Sequence, residues 1–142
     1  MKKILIATHG TLASGTKSTI ELLVGNMADI TCINAYVDGG EDLLESIAKF
    51  FDSVRPEEQV FVFTDILGGS VNQKIVKYES RLNVFIIAGF NLPLILTVLM
   101  ETETVTKERL NDIIEECRSQ MNLVEIGVSD KNNESDEDFL EG

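Results

Sequence analysis

Residues 1–10 read MKKILIATHG, and the reading of the fold starts there. Ile4, Leu5, Ile6 and Ala7 form a short unbroken apolar run behind two lysines, and Thr8, His9 and Gly10 close it. A strand covered by helices on both sides is apolar on both faces, so it shows continuous rather than alternating hydrophobicity. The closing residues belong to a loop leaving the carboxyl end of that strand. In open parallel sheets, ligands and chemistry gather beyond the carboxyl ends of the strands. His9 is the only histidine in the chain, and it stands there with the side-chain type that ordinarily titrates near neutral pH. A lone histidine is more often a surface or core residue than a functional one; its place at a strand end argues for function here.

Working outward, Leu12, Ile20, Leu23 and Val24 recur at helical spacing, and Gly25 can end that helix. Gly10 and Gly15 have the spacing of a phosphate-binding P-loop, but the order that follows is Thr16, Lys17, Ser18. A P-loop needs its lysine directly after the second glycine, and a one-residue shift turns the side chain about 100° around a helix. The segment DITCINAYV over 29–37 reads as a second strand, with Asp38-Gly39-Gly40 as a loop. A helix over about 42–53 follows, with Leu43, Leu44, Ile47, Phe50 and Phe51 on its apolar side. Val60, Phe61, Val62 and Phe63 are a second continuous apolar run, the sign of another central strand. Thr64-Asp65 and the turn Gly68-Gly69-Ser70 end it, with Ser70 expected to cap a helix reaching about Tyr78. A fourth strand spans 83–89 and opens into Phe90, Asn91, Leu92 and Pro93, the proline fitting the first turn of a helix through Met100. Thr106 is expected to cap the next helix, which reaches about Met121 and buries Leu110, Ile113, Ile114, Cys117 and Met121. Leu123 to Val128 alternates like a strand and has no helix after it; it can add to this sheet or to that of a second copy. Alternation of this kind implies an α/β fold, a doubly wound, mostly parallel sheet flanked by helices.

The totals narrow the function classes. A chain of 142 residues suits one domain with a real core. A net charge of −12, with no basic run, argues against nucleic acid and anionic membrane surfaces as partners. Residues 129–142, SDKNNESDEDFLEG, carry six acids and one lysine and read as a solvated, disordered tail after a domain over 1–128. Cys32 and Cys117 lie far apart and read as reduced packing residues of a cytoplasmic protein. One histidine and two separated cysteines make no metal-ligand set. No secretory signal and no membrane span is expected: the apolar run after Lys2 and Lys3 is too short, and the stretch 84–100 is broken by Gly89, Asn91 and Pro93.

Three strand ends therefore carry polar residues: Thr8-His9, Thr64-Asp65 with Ser70, and Asn91. A carboxylate accepting a hydrogen bond from one ring N–H fixes the tautomer of a histidine and leaves the other nitrogen as a nucleophile. A phosphoryl group is the electrophile that suits such a nucleophile, since its transfer needs positioning and donors rather than a complex cofactor. Backbone amides at Gly68-Gly69-Ser70 and the Ser70 hydroxyl can supply donors. Asp65 and the glycines would equally serve an ordinary turn.

The segments IATHGTLASG, FTDILGGS and AGFNLPLI, in this order, resemble the mannose-type (mannose/fructose/sorbose) enzyme IIA component of the bacterial phosphoenolpyruvate:sugar phosphotransferase system, over about residues 1–128. The resemblance implies a phosphotransferase without metal or cofactor, in which His9 accepts a phosphoryl group from the phosphocarrier protein HPr and passes it to a IIB component. Sugar uptake then runs through membrane-embedded IIC and IID components. It implies Asp65 as the orienting carboxylate and Ser70 as a phosphate-contacting hydroxyl, and a homodimer with the last strand exchanged. Val71 stands where such proteins often have proline. Around His9, Leu12, Leu67, Phe90, Asn91 and Leu92 are expected to form a partner-facing rim. The alternative is a non-catalytic flavodoxin-like binding or regulatory module, in which His9 is incidental.

Overall fold

The structure, a computed structural model, describes residues 2–37 and 42–126. Four strands, β1 (Lys2–His9), β2 (Asp29–Ala35), β3 (Gln59–Thr64) and β4 (Val84–Ala88), form one sheet in the order β2-β1-β3-β4, and every pairing is parallel. The two apolar runs occupy the two inner strands: Ile4–Ala7 and Val60–Phe63 are fully buried. Alternate residues point to opposite faces, so Ile4, Ile6, Phe61 and Phe63 enter one core, and Leu5, Ala7, Val60 and Val62 enter the other.

The helices are α1 (Leu12–Val24), α2 (Leu43–Asp52), α3 (Ser70–Ile75), α4 (Leu92–Met100) and α5 (Lys107–Arg118), with a 3-10 turn over Val76–Ser80. The chain moves one way across the sheet from β1 to β2, and the other way from β2 to β3 and on to β4. Crossovers of a single hand then place the first helix opposite the next two. Ala13 and Ile20 of α1 indeed share a core with α4 and α5, whereas Ile47 of α2 and Val71 and Ile75 of α3 fill the other. Thr106 Oγ1 accepts from Arg109 N–H at 3.1 Å and caps α5 as expected. Asn91 Oδ1 accepts from Leu94 N–H at 3.0 Å and caps α4, with Pro93 in the first turn. Buried Gln59 ties the loop between α4 and α5 to the sheet, donating to the Val105 carbonyl at 2.8 Å and accepting from its N–H at 2.9 Å.

Several expectations change. In α1 the inward stripe is Ala13, Ile20 and Val24, and Leu12 and Leu23 are exposed. Each of these leucines precedes a stripe residue by one position, about 100° round the helix. Leu44 is likewise exposed on α2, and Met121 lies beyond the end of α5 and is exposed. Gly69, not Ser70, is the N-cap of α3, which ends at Ile75 rather than near Tyr78. Cys117 is buried and Cys32 only half-buried, both as free thiols. Residues 123–126 form no strand: Leu123, Val124 and Ile126 are exposed, and no strand among the described residues pairs with them. The rest of that expected strand, the loop over 38–40 and the acidic segment 129–142 lie outside the described residues.

Candidate functional site

The direction of the chain reverses between β1 and β3, with β2 outside one and β4 outside the other. Loops leaving the carboxyl ends of β1 and β3 diverge there, which opens a crevice at the edge of the sheet. His9 is the last residue of β1, in register with Ala35, and continues the row of Leu5 and Ala7. Asp65 follows the last residue of β3. Gly10, at a φ of +62°, turns the chain away and donates its N–H to the Ala35 carbonyl at 2.9 Å.

The two side chains meet across the crevice. Asp65 Oδ2 accepts from the His9 backbone N–H at 2.9 Å and lies 3.0 Å from His9 Nδ1, while Oδ1 accepts from Ile66 N–H at 3.0 Å. The Asp65 side chain is 12 % exposed and that of His9 39 %. Partial burial pushes the Asp65 carboxyl up, but the His9 backbone N–H, the His9 ring and a backbone N–H of its own together outweigh this and hold it below its ordinary value. A carboxylate only accepts hydrogen bonds, so Nδ1 carries the ring proton toward Asp65 and Nε2 presents a lone pair.

Ser70 Oγ lies 3.3 Å from Nε2. Its place is set from below: Thr64 Oγ1 donates to Asn72 Oδ1 at 3.0 Å, tying the first turn of α3 to the end of β3. The two glycines before it have distinct parts. Gly68 has a φ of +79°, a conformation that L side chains seldom adopt. A Cβ at Gly69 would come within 3.3 Å of the Ile66 carbonyl oxygen and 3.5 Å of His9 Cε1. The Gly69 N–H, expected as a phosphate donor, is committed to the Ile66 carbonyl at 3.0 Å by the turn itself. Gly69 contributes room beside the imidazole in place of a donor.

Of the rim residues, Leu12, Phe90, Asn91 and Leu92 line a cleft of about 360 Å³ that reaches Asp65 between α1 and the loop before α4. Leu67 is exposed on the loop after Asp65 and does not line that cleft. Asn91 is structural: its Nδ2 donates to the Cys117 carbonyl at 2.8 Å while its Oδ1 caps α4. Among the described residues, no three His, Cys, Asp or Glu side chains converge as a metal site requires.

Sequence reasoning missed Tyr36. Its hydroxyl lies 2.9 Å from Ser70 Oγ, and its ring centroid 5.5 Å from that of His9. Its φ of +65° is left-handed, which costs a non-glycine residue about 1–2 kcal/mol. The signal available was its position, at a carboxyl strand end like every other residue of the site.

The family model described as PTS system fructose IIA component matches residues 3–116. The chain belongs to this IIA family. Its function is accordingly that of a phosphoryl carrier in a sugar phosphotransferase system, with phosphotransferase activity. No curated protein sequence matches the IIA chain significantly. Its fold is similar to that of a Klebsiella pneumoniae protein described as a candidate permease of the phosphoenolpyruvate-dependent sugar phosphotransferase system, with 28 % identity, a TM-score of 0.80, and 86 % of this chain and 90 % of that one covered. A IIA protein associated with the fucose utilization operon of Streptococcus pneumoniae is similar at 26 % identity and a TM-score of 0.72, covering 93 % of this chain and 96 % of that one. The mannose/sorbose-specific IIA subunit of Enterococcus faecalis, at 19 % identity and a TM-score of 0.73 over 88 % of this chain and 96 % of that one, shares the fold. Family membership displaces the reading as a regulatory module. The P-loop resemblance is displaced by structure: Gly15 to Ser18 lie inside α1, where no phosphate loop can form. No helix among the described residues of this IIA domain is long and apolar enough to cross a membrane.

Proposed function

We propose that His9 Nε2 is the atom that carries the phosphoryl group. The observation that carries this reading is the Asp65 carboxylate at Nδ1, 3.0 Å away, which leaves Nε2 as the free lone pair. The donor is the phosphohistidine of HPr, and the acceptor is a IIB component. In the first transfer the Nε2–P bond forms as the bond from phosphorus to the donor's ring nitrogen breaks, and the donor leaves with that electron pair. The Nδ1 proton stays where it is. The ring becomes formally cationic, and the adjacent Asp65 carboxylate offsets that charge. The second transfer is the reverse of this step with a different partner, so one geometry serves both. Ser70 Oγ, beside Nε2, donates to a phosphoryl oxygen. The exposed Leu12 and Leu67 and the cleft edge at Phe90 and Leu92 give both partners the same apolar landing.

Incubation with phosphoenolpyruvate, enzyme I and HPr should add one phosphoryl mass (~80 Da) to the protein as an acid-labile modification on the peptide containing His9, as a nitrogen nucleophile requires. No gain with active upstream proteins, or an acid-stable one, overturns the reading.

The proposal extends to assembly. The protein is cytoplasmic, its domain spans residues 1–128 with 129–142 as an acidic tail, and two copies exchange residues 123–128. The support is the exposed run Leu123, Val124 and Ile126 together with two sheet edges, β2 and β4, that no further strand covers among the described residues. Sedimentation equilibrium should give twice the monomer mass, and removal of 123–142 should reduce it to the monomer mass; an intact chain sedimenting as a monomer would rule the exchange out.

A further inference from the structure

Tyr36 belongs to the machinery around His9 without touching the reacting atoms. By strand alternation it would share the face of Asn34, whose amide holds Ser14 of α1 through bonds of 3.1 and 3.0 Å. The left-handed backbone at Tyr36 ends that alternation, and the hydroxyl is found instead beside Ser70, at the start of a helix that packs on the opposite face. A strained, non-glycine conformation persists only where the surroundings hold it, and such residues cluster at functional sites. The side chain it delivers is 58 % exposed as a whole residue, so core packing does not explain it.

Ser70 has one hydroxyl proton and two acceptor positions. Among the described residues its hydroxyl has two partners, Tyr36 Oη at 2.9 Å and His9 Nε2 at 3.3 Å. With Nδ1 protonated, Nε2 can only accept. Ser70 satisfies both neighbours in one arrangement: the Tyr36 phenol donates to Ser70 Oγ, and Ser70 donates onward to Nε2. The opposite arrangement, in which Ser70 donates to Tyr36, leaves Nε2 without a donor. A phenol is the stronger donor of the two hydroxyls, which favours the first.

Resting on the proposed role of His9, we infer that Tyr36 is a positioning residue that aims the single Ser70 proton at His9 Nε2, and at the phosphoryl oxygens once Nε2 is substituted. Hydrogen bonds made cooperatively in such a chain strengthen one another.

The test compares wild type, Tyr36→Phe, Ser70→Ala and the double variant. Two readouts are used: ¹⁵N NMR of the His9 ring in the unphosphorylated protein, and the single-turnover rate of phosphoryl acceptance from phospho-HPr. Tyr36→Phe should move the Nε2 resonance toward that of an unbonded acceptor nitrogen, the position Ser70→Ala also gives, without changing the Nδ1–H tautomer. It should slow acceptance about three- to tenfold, as the loss of one hydrogen bond would. In the Ser70→Ala background the same substitution should add nothing further. An unmoved Nε2 resonance overturns the inference, as does an undiminished Tyr36→Phe penalty in the Ser70→Ala background. A wild-type protein that accepts no phosphoryl group overturns the role of His9 instead, and the NMR comparison still decides the role of Tyr36.

Discussion

His9→Ala should accept no phosphoryl group, and Asp65→Asn should accept it about 10²–10⁴-fold more slowly than wild type while remaining folded, the range that loss of an orienting group for a catalytic imidazole produces. The first result follows because His9 is the only imidazole in the chain. The second follows from the hydrogen bonds around the carboxylate. Its Oδ2 accepts from two N–H groups, the His9 backbone and the His9 ring, and its Oδ1 accepts from Ile66 N–H. Asparagine must put an NH₂ at one of these positions. Facing Ile66, it sets donor against donor. Facing His9, it repels the backbone N–H and turns Nδ1 into an acceptor, which moves the ring proton to Nε2 and removes the lone pair. Single-turnover transfer from phospho-HPr, read beside circular-dichroism melts, separates the rate from folding. Wild-type rates in Asp65→Asn would mean that the carboxylate orients nothing.

The same substitution has a signature in stability. The Asp65 carboxyl is held below its ordinary value of 3.8, because the His9 and loop N–H groups outweigh its partial burial. Folding therefore gains from this group at every pH above the unfolded-state value, and the gain disappears as pH falls through the lowered folded-state value. The stability difference between wild type and Asp65→Asn should be full at neutral pH and shrink on acidification below about 3.8. A difference that grows on acidification would contradict the hydrogen-bond geometry.

The parts legible in the sequence were those written as unbroken apolar runs or as caps. Ile4–Ala7 and Val60–Phe63 read as buried parallel strands, and in a parallel sheet the ends carrying His9 and Asp65 then lie at one edge. Thr106 announced its helix as a cap and Pro93 announced the first turn of α4, whereas the capping role of Asn91 appears only in the structure. The phase of a helix was less legible. In α1 the apolar residues are dense enough to support two neighbouring stripes, and tertiary contacts distinguish them: Thr8 Oγ1 accepts from Ala13 N–H at 2.9 Å, and Ala13, Ile20 and Val24 join the core. Ser70 looked like a cap because serine often is one; the backbone of Gly69 takes that position and leaves the hydroxyl to face His9. Tyr36 was marked only by its place at a strand end, and nothing marks a left-handed backbone when the residue is neither glycine nor asparagine. Leu123 to Val128 reads as a strand from its alternation, yet a strand exists only where a neighbour pairs with it, and pattern alone does not say whose neighbour that is.

Phe63→Ala should lower unfolding stability by about 3–5 kcal/mol, the cost of deleting a fully buried aromatic side chain and leaving a cavity, and it should slow phosphoryl acceptance as well. Phe63 is fully buried in the inner strand β3, two residues before Asp65, and its ring meets that of Phe90 edge-on at 6.2 Å. Phe90 in turn lines the cleft that ends at Asp65. Removing the Phe63 ring takes the support from beneath Phe90 and from the strand end that aims the carboxylate. Phe61→Ala is the matched comparison: it is equally buried, faces the same core, and packs on Phe85 at 5.5 Å, farther from the carboxyl edge. Both variants should shift the denaturant midpoint by similar amounts with little change in slope. Only Phe63→Ala should also reduce the transfer rate measured well below that midpoint, because an imidazole–carboxylate pair tolerates little displacement before the lone pair leaves the line of attack. Equal transfer rates in the two variants would mean that the hydrogen bonds of Asp65 alone hold the site in register, without help from the packing under it.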